Sequence, residues 1–151
     1  MPELYTIGYE GASQGALLHT LLHYDIETLV DIRELPQSRK PGLSKKALGL
    51  AAEGVGIRYV HMRELGTPRD VRYRHKIDHD ATAFREGYLA HLATKDAAME
   101  TLIERALRER CCLLCYEADV RECHRWFVAE RAAEMSGGLT PVHLTVMESR
   151  P

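Results

Sequence analysis

Apolar residues follow two rhythms along this chain: short near-continuous runs, and longer stretches in which they return every three or four positions. The short runs lie at residues 4–7 (LYTI), 28–32 (TLVDI), 57–61 (IRYVH), 111–115 (CCLLC) and 142–146 (VHLTV). Runs of that length bounded by Gly, Pro or polar residues read as strands, and the unbroken CCLLC suits a strand covered on both faces. Between the first two, Ser13 stands as an N-cap before Leu17, Leu18, Leu21 and Leu22, one face of a helix. Ser44 opens a second helix over residues 45–53, which Gly54 and Gly56 end. Residues 82–93 carry Phe84, Tyr88, Leu89 and Leu92 inward, and residues 97–108 carry Met99, Leu102, Ile103 and Leu107. A last helix opens at Val120 or Glu122 and runs to about residue 135, its apolar side holding Phe127, Val128 and Ala132, before Ser136-Gly137-Gly138 stops it.

Strand, helix, strand, helix, strand within the first sixty residues is the βαβ pattern, joined by right-handed crossovers. The expected fold is therefore α/β: three layers, a mainly parallel open sheet of about five strands, helices on both faces. At 151 residues it forms one domain, residues 1–151, large enough to bury a core without staples. Residues 62–80 interrupt the rhythm. They are too long for an ordinary connection and read as an irregular basic loop or lid, or as partly helical. Arg63, Arg69, Arg72, Arg74, His75 and Lys76 lie there, either as a solvated charged loop or as an anion-facing cover over the sheet edge.

Composition narrows the partners. The chain is 45% hydrophobic and 28% charged with a formal net charge of -2, which argues against a broad nucleic-acid-binding surface but not against a local basic patch. The start, MPELYTIGYEG, lacks a basic stretch before an apolar one, and no apolar run approaches the ~18 residues of a membrane span, so neither a leader nor a membrane partner is expected. All four cysteines, Cys111, Cys112, Cys115 and Cys123, fall in the last third. The adjacent pair reads as small buried hydrophobes rather than a disulfide framework, and a reducing, cytoplasmic setting fits best. No helix or edge strand is apolar enough to demand a partner, so the oligomeric state stays open.

Open parallel sheets bind ligands beyond the carboxyl ends of their strands. Gly8, Tyr9 and Glu10 follow the first strand. Asp31 and Arg33 end the second, His61, Arg63, Glu64 and Gly66 follow the third, and Cys115 and Glu117 end the fourth. Cys123, His124 and Arg125 then stand at a helix start, where free N–H groups favour an anion and a guanidinium supplies a bidentate fork. That position would lower the pKa of Cys123, giving a thiolate where exposed, and of His124, favouring the neutral base. The competing reading is that Arg125 only pairs with Glu117 or Asp31 to satisfy a carboxylate. Glu117, beyond a buried strand and near a helix start, suits a nucleophile or general base, with Asp31 its natural partner; pairing both carboxylates with Arg33 or Arg125 in a closed network is the competing reading. Cys115 to Cys123 is not a CxxC knuckle, so no metal site is expected. GxGxxG, GxxxxGK[ST] and a phosphatase cradle are all absent, and no cofactor is expected.

YTIGYEG, LVDIRELPQSR, IRYVHMRELG and LLCYEADVRECHR, taken in order between Tyr5 and His143, resemble the DUF488 family. That resemblance implies a small single-domain protein, and it marks Thr6, Gly8, Asp31, Arg33, Pro36, Ser38, Arg39, Leu65, Gly66, Cys115, Glu117, Cys123, His124 and Arg125 as family positions. The usual first motif reads TIGHS; here Tyr9 and Glu10 stand at its end, and Tyr9 cannot replace a histidine in proton transfer near neutral pH. Ser38 and Arg39 would close over the same crevice, making three arginines with Arg33 and Arg125.

Three readings follow. In the first, the protein is an enzyme on a phosphate-bearing, nucleotide-like or nucleic-acid substrate. Glu117, Asp31, Cys123 and His124 carry the chemistry, and Gly8, Tyr9, Arg33, Ser38, Arg39 and Arg125 hold the anion. In the second, the same cleft belongs to a non-catalytic nucleotide or nucleic-acid binding module. In the third, Cys115 and Cys123 form a thiol or metal site. The acidic whole favours a small anionic or nucleotide-like ligand over a long nucleic acid.

Overall fold

A computed structural model of the protein describes residues 2–120 and 123–147. Five strands, β1 (Glu3–Gly8), β2 (Thr28–Asp31), β3 (Arg58–His61), β4 (Cys111–Cys115) and β5 (Thr140–Leu144), alternate with helices α1 (Gln14–His23), α2 (Lys45–Gly54), α3 (Arg69–Asp78), α4 (Ala81–Leu92), α5 (Asp96–Arg108) and α6 (Arg125–Ser136). The strands form one sheet in the order β3-β2-β4-β1-β5, every pair parallel. Pairing aligns Gly8 with Cys115, Asp31 with Leu114 and Asp31 with His61, so these polar strand ends share one edge.

The pleat sorts the core. Leu4, Val30, Ile32, Cys111 and Leu113 face a layer built by α4, α5 and α6 through Tyr88, Leu92, Met99, Leu102, Val128 and Ala132. Their neighbours Tyr5, Ile7, Leu29, Cys112 and Leu114 face the opposite layer, where α1 and α2 contribute Leu17, Leu21, Leu48 and Ala52. Period-two alternation with both faces covered explains why β4 contains no polar residue. Burial pushes the Cys111 thiol up to about 12 and raises that of Cys112 further, as befits two inert, packed cysteines.

Departures from the sequence expectations have local causes. Leu22, Leu89 and Leu107 are exposed rather than inward, because each follows a buried neighbour (Leu21, Tyr88, Ala106) and a step of about 100° turns it out. The start expected at Val120 or Glu122 moves to Arg125, with His124 in the capping position; Glu122 lies outside the described residues. β5 begins at Thr140, and its Pro141 is tolerated on an edge strand. Residues 62–80 are mostly helical rather than irregular: a 3-10 turn at Arg63–Leu65, then α3, whose residues are all at least partly exposed. Without an apolar face α3 escapes a search for hydrophobic period. It lies along α4, Val71 close enough to Gly87 that an added Cβ would sit 3.0 Å from it.

Candidate functional site

Of the neighbouring strands β2 and β4, the first leads to β3 and the second over β1 to β5, so their outgoing connections run to opposite sides. Such a divergence opens a crevice at the strands' carboxyl ends. Arg33 and Glu34 enter it from β2, and Tyr116 and Glu117 from β4. His124 ties the two sides together: its Nε2 is 2.8 Å from the Ile32 carbonyl oxygen.

Asp31 is fully buried and saturated with donors. Arg33 clamps it with Nε to Oδ1 at 2.9 Å and Nη2 to Oδ2 at 2.7 Å, the Arg33 backbone N–H adds 3.1 Å to Oδ1, and the Tyr59 hydroxyl donates to Oδ2. Burial alone would lower the Arg33 pKa; the fork to Asp31 outweighs it and raises the value. Burial, reinforced by Asp31, likewise raises Tyr59. The remaining Arg33 donor, Nη1, reaches the Leu43 carbonyl at 2.8 Å and the Tyr9 hydroxyl at 3.2 Å, fastening the loop 34–44 to the sheet. In that loop Ser44 occupies the expected N-cap position of α2 without capping it. Its hydroxyl accepts the Ser38 N–H at 3.0 Å instead, and the Ser38 hydroxyl accepts from Lys40, which presents Arg39 outward.

Arg125 is also buried, and its fork is bonded to protein groups. Nε donates to Thr6 Oγ1 at 3.1 Å, Nη1 to the Glu117 carbonyl and, at 3.2 Å, to Cys115 Sγ, and Nη2 to the Ala118 carbonyl at 3.1 Å. Burial lowers its pKa. These bonds run to backbone carbonyls, a hydroxyl and a sulfur. Gly8 makes room for this: a Cβ there would overlap the Glu117 carbonyl and stand 2.6 Å from Arg125 Nη1. Cys123 is no exposed thiolate. It is buried and bridged to Cys115, the two Cα atoms 7.2 Å apart. The partners stand eight positions apart in the sequence, and only the fold returns the helix start to the end of β4. His124 is displaced in the expected direction, pushed down to about 4, but burial is the principal cause, opposed by its bond to Ile32. Cys115, Cys123 and His124 bring their ligand atoms within 4.8 Å of one another.

In front of these residues is a cleft of about 1150 Å³. Tyr9, Arg33, Ser38, Arg39, Glu117 and His124 line it; Gly8, Asp31, Cys123 and Arg125 do not. Three of those four touch residues that do: Asp31 is bonded to Arg33, while Gly8 and Arg125 meet the backbone of Glu117. Further lining comes from Lys40 and from Arg72, His75, Lys76 and His79 of the α3 region. Those last four recur at three- and four-residue steps, the spacing of one helical face, which is the signal a search for polar periodicity would have caught. Tyr116, Phe84 and Phe127 add aromatic surface, Tyr116 meeting Tyr9 edge to face at 5.4 Å.

A parallel three-layer α/β protein with a basic, aromatic-walled cleft at its switch point is the class that fold and site define. Within it the chain belongs to the DUF488 family, a domain of unknown function, whose pattern matches residues 15–132. No curated protein and no solved structure matches the chain significantly.

Proposed function

We propose that the protein is an enzyme acting on a phosphate-bearing, nucleotide-like substrate held in this cleft. The observation that carries the reading is a contrast of charge. The whole chain has a formal net charge of -2, yet its cleft is lined by Arg33, Arg39, Lys40, Arg72 and Lys76 against the carboxylates of Glu34 and Glu117. Walls with an excess of positive charge concentrate an anion, and Tyr9, Tyr116, Phe84 and Phe127 offer faces on which a base can stack. Arg33 is committed to Asp31 and Arg72 bonds Glu34 at 3.3 Å, which leaves Arg39, Lys40 and Lys76 as the phosphate-facing cations of this reading. Glu117, half-buried on the wall, is its general base or nucleophile; Asp31 becomes a positioning residue.

Binding is measured by calorimetric titration with inorganic phosphate and with nucleoside mono- and diphosphates, turnover by product analysis on the same nucleotides and short oligonucleotides. Arg39→Ala weakens binding by roughly tenfold, the loss of one charge-assisted contact. Glu117→Gln retains binding and lowers turnover by about 10²–10⁴-fold, the usual worth of a general base. Undiminished turnover in that variant sinks the role given to Glu117.

The saturation of Asp31 favours a second reading, a non-catalytic module binding a nucleotide or nucleic acid in the same cleft. It predicts affinity that falls steeply with salt and no product from any of these compounds.

A further inference from the structure

Behind the cleft, Cys115, Cys123 and His124 form a cluster that the proposed reaction does not use. We propose that in their reduced form these three residues bind one zinc ion. Both sulfurs and a His124 ring nitrogen lie within 4.8 Å of one another in a buried position, and two thiolates with one imidazole are a donor set that zinc takes readily.

The imidazole is already oriented for the task. Its Nε2 lies 2.8 Å from the Ile32 carbonyl, an acceptor only, so Nε2 carries the ring proton and Nδ1 carries the lone pair. That Nδ1 faces Cys123 Sγ at 3.9 Å. A ligating histidine ordinarily anchors its other nitrogen on a carbonyl or carboxylate, the arrangement found here. The sulfurs have matching support: Arg125 donates from Nη1 to Cys115 Sγ at 3.2 Å and from its backbone N–H to Cys123 Sγ at 3.5 Å. Such N–H···S bonds steady thiolate charge, and the two thiolates cancel the charge of the dication. The backbone spacing agrees as well. Cα atoms 7.2 Å apart exceed the usual 4.4–6.8 Å of bridged cysteines, whereas sulfurs sharing a metal at ~2.3 Å each stand farther apart than bonded ones. Three protein ligands leave a fourth position, and His124, one of the three, lines the cleft.

Loading starts from the bridge. A dithiol opens it by donating two electrons and two protons, becoming a disulfide itself; Cys115 and Cys123 are then thiols, and they release those two protons as zinc binds. This site stands apart from the reading of Glu117, whose Gln variant keeps the metal.

Cobalt(II) is the probe, titrated without oxygen into the full chain reduced by a phosphine, which does not hold the metal. The expected result is one equivalent bound with a thiolate-to-cobalt charge-transfer band and tetrahedral visible bands, both erased by one equivalent of zinc. The unreduced protein shows neither. Cys115→Ser and Cys123→Ser each abolish the charge-transfer band. His124→Gln weakens the metal by roughly a hundredfold or more, given that even outer partners of a ligand cost about 10–100-fold. Reduced wild-type protein that gives no charge-transfer band overturns the site, and needs no variant to fold. So does a band that survives loss of both cysteines.

Discussion

Buried charge decides most at single residues. Asp31→Asn leaves the Arg33 guanidinium in a buried position without its counter-charge, and breaking such a pair costs about 3–5 kcal/mol. Tyr59→Phe removes one donor to the same carboxylate and costs about 1 kcal/mol. Urea unfolding measures both; an Asp31→Asn loss no larger than that of Tyr59→Phe would falsify the buried-pair account. Gly8→Ala is a different kind of lesion, since the new methyl overlaps the Glu117 carbonyl that Arg125 holds. It displaces the β4–α6 turn, so cleft binding falls along with stability. At this scale the sequence was informative about which residues gather and poor about what each does. Asp31, Arg33, Glu117 and His124 were legible as strand-end or helix-start residues. That Arg125 spends its fork on carbonyls, and that Cys123 meets Cys115, depends on a turn whose path no spacing rule contains.

Elements whose apolar period is strong were legible, and α3 was not. CCLLC and the Leu17–Leu21 face announce themselves by hydrophobicity, while α3 buries no residue and relies on α4 for its place. The N-terminal end of β2 is secured by polar contacts instead. Glu109, after α5, accepts the Thr28 hydroxyl at 2.7 Å and Arg105 at 2.8 Å. Burial would raise its pKa, but these two partners outweigh burial and hold it below the ordinary carboxylate range. A carboxyl depressed on folding contributes stability above its unfolded pKa, and that contribution is lost as pH falls through the depressed folded value. Thermal unfolding from neutral pH to below the ordinary carboxylate range therefore shows an acid limb that Glu109→Gln makes shallower. An unchanged limb removes the assignment.

For the whole molecule, layer number and strand direction were legible because both faces of the sheet are written into alternate residues. Strand order was not, since parallel strands tolerate several orders with the same pattern; it is the divergence of β2 and β4 that places the cleft. The charge contrast between that cleft and the rest of the chain sets a condition on ligand size. On the reading proposed above, a small phosphate would gain the cleft's attraction without meeting the acidic exterior, so raising salt would weaken a nucleotide through only a few contacts. On the same reading a long duplex would meet repulsion outside the cleft and bind no tighter than a short oligonucleotide of equal cleft occupancy. Competition between oligonucleotides of increasing length measures this, and affinity that climbs with length contradicts a confined site.

The strand order also dictates when this protein can come together. β1 and β2 never touch; β4, almost eighty residues after β2 ends, is the strip that joins them. Until Cys111–Cys115 exists, the β1–α1 unit and the β2–α2–β3 unit share no ladder, and their apolar strand edges face an unfilled slot. Contacts of such sequence separation are slow to form. A nascent chain thus carries most of its length in an incomplete state, and a fragment ending at residue 108 lacks the cooperative unfolding transition of the full chain.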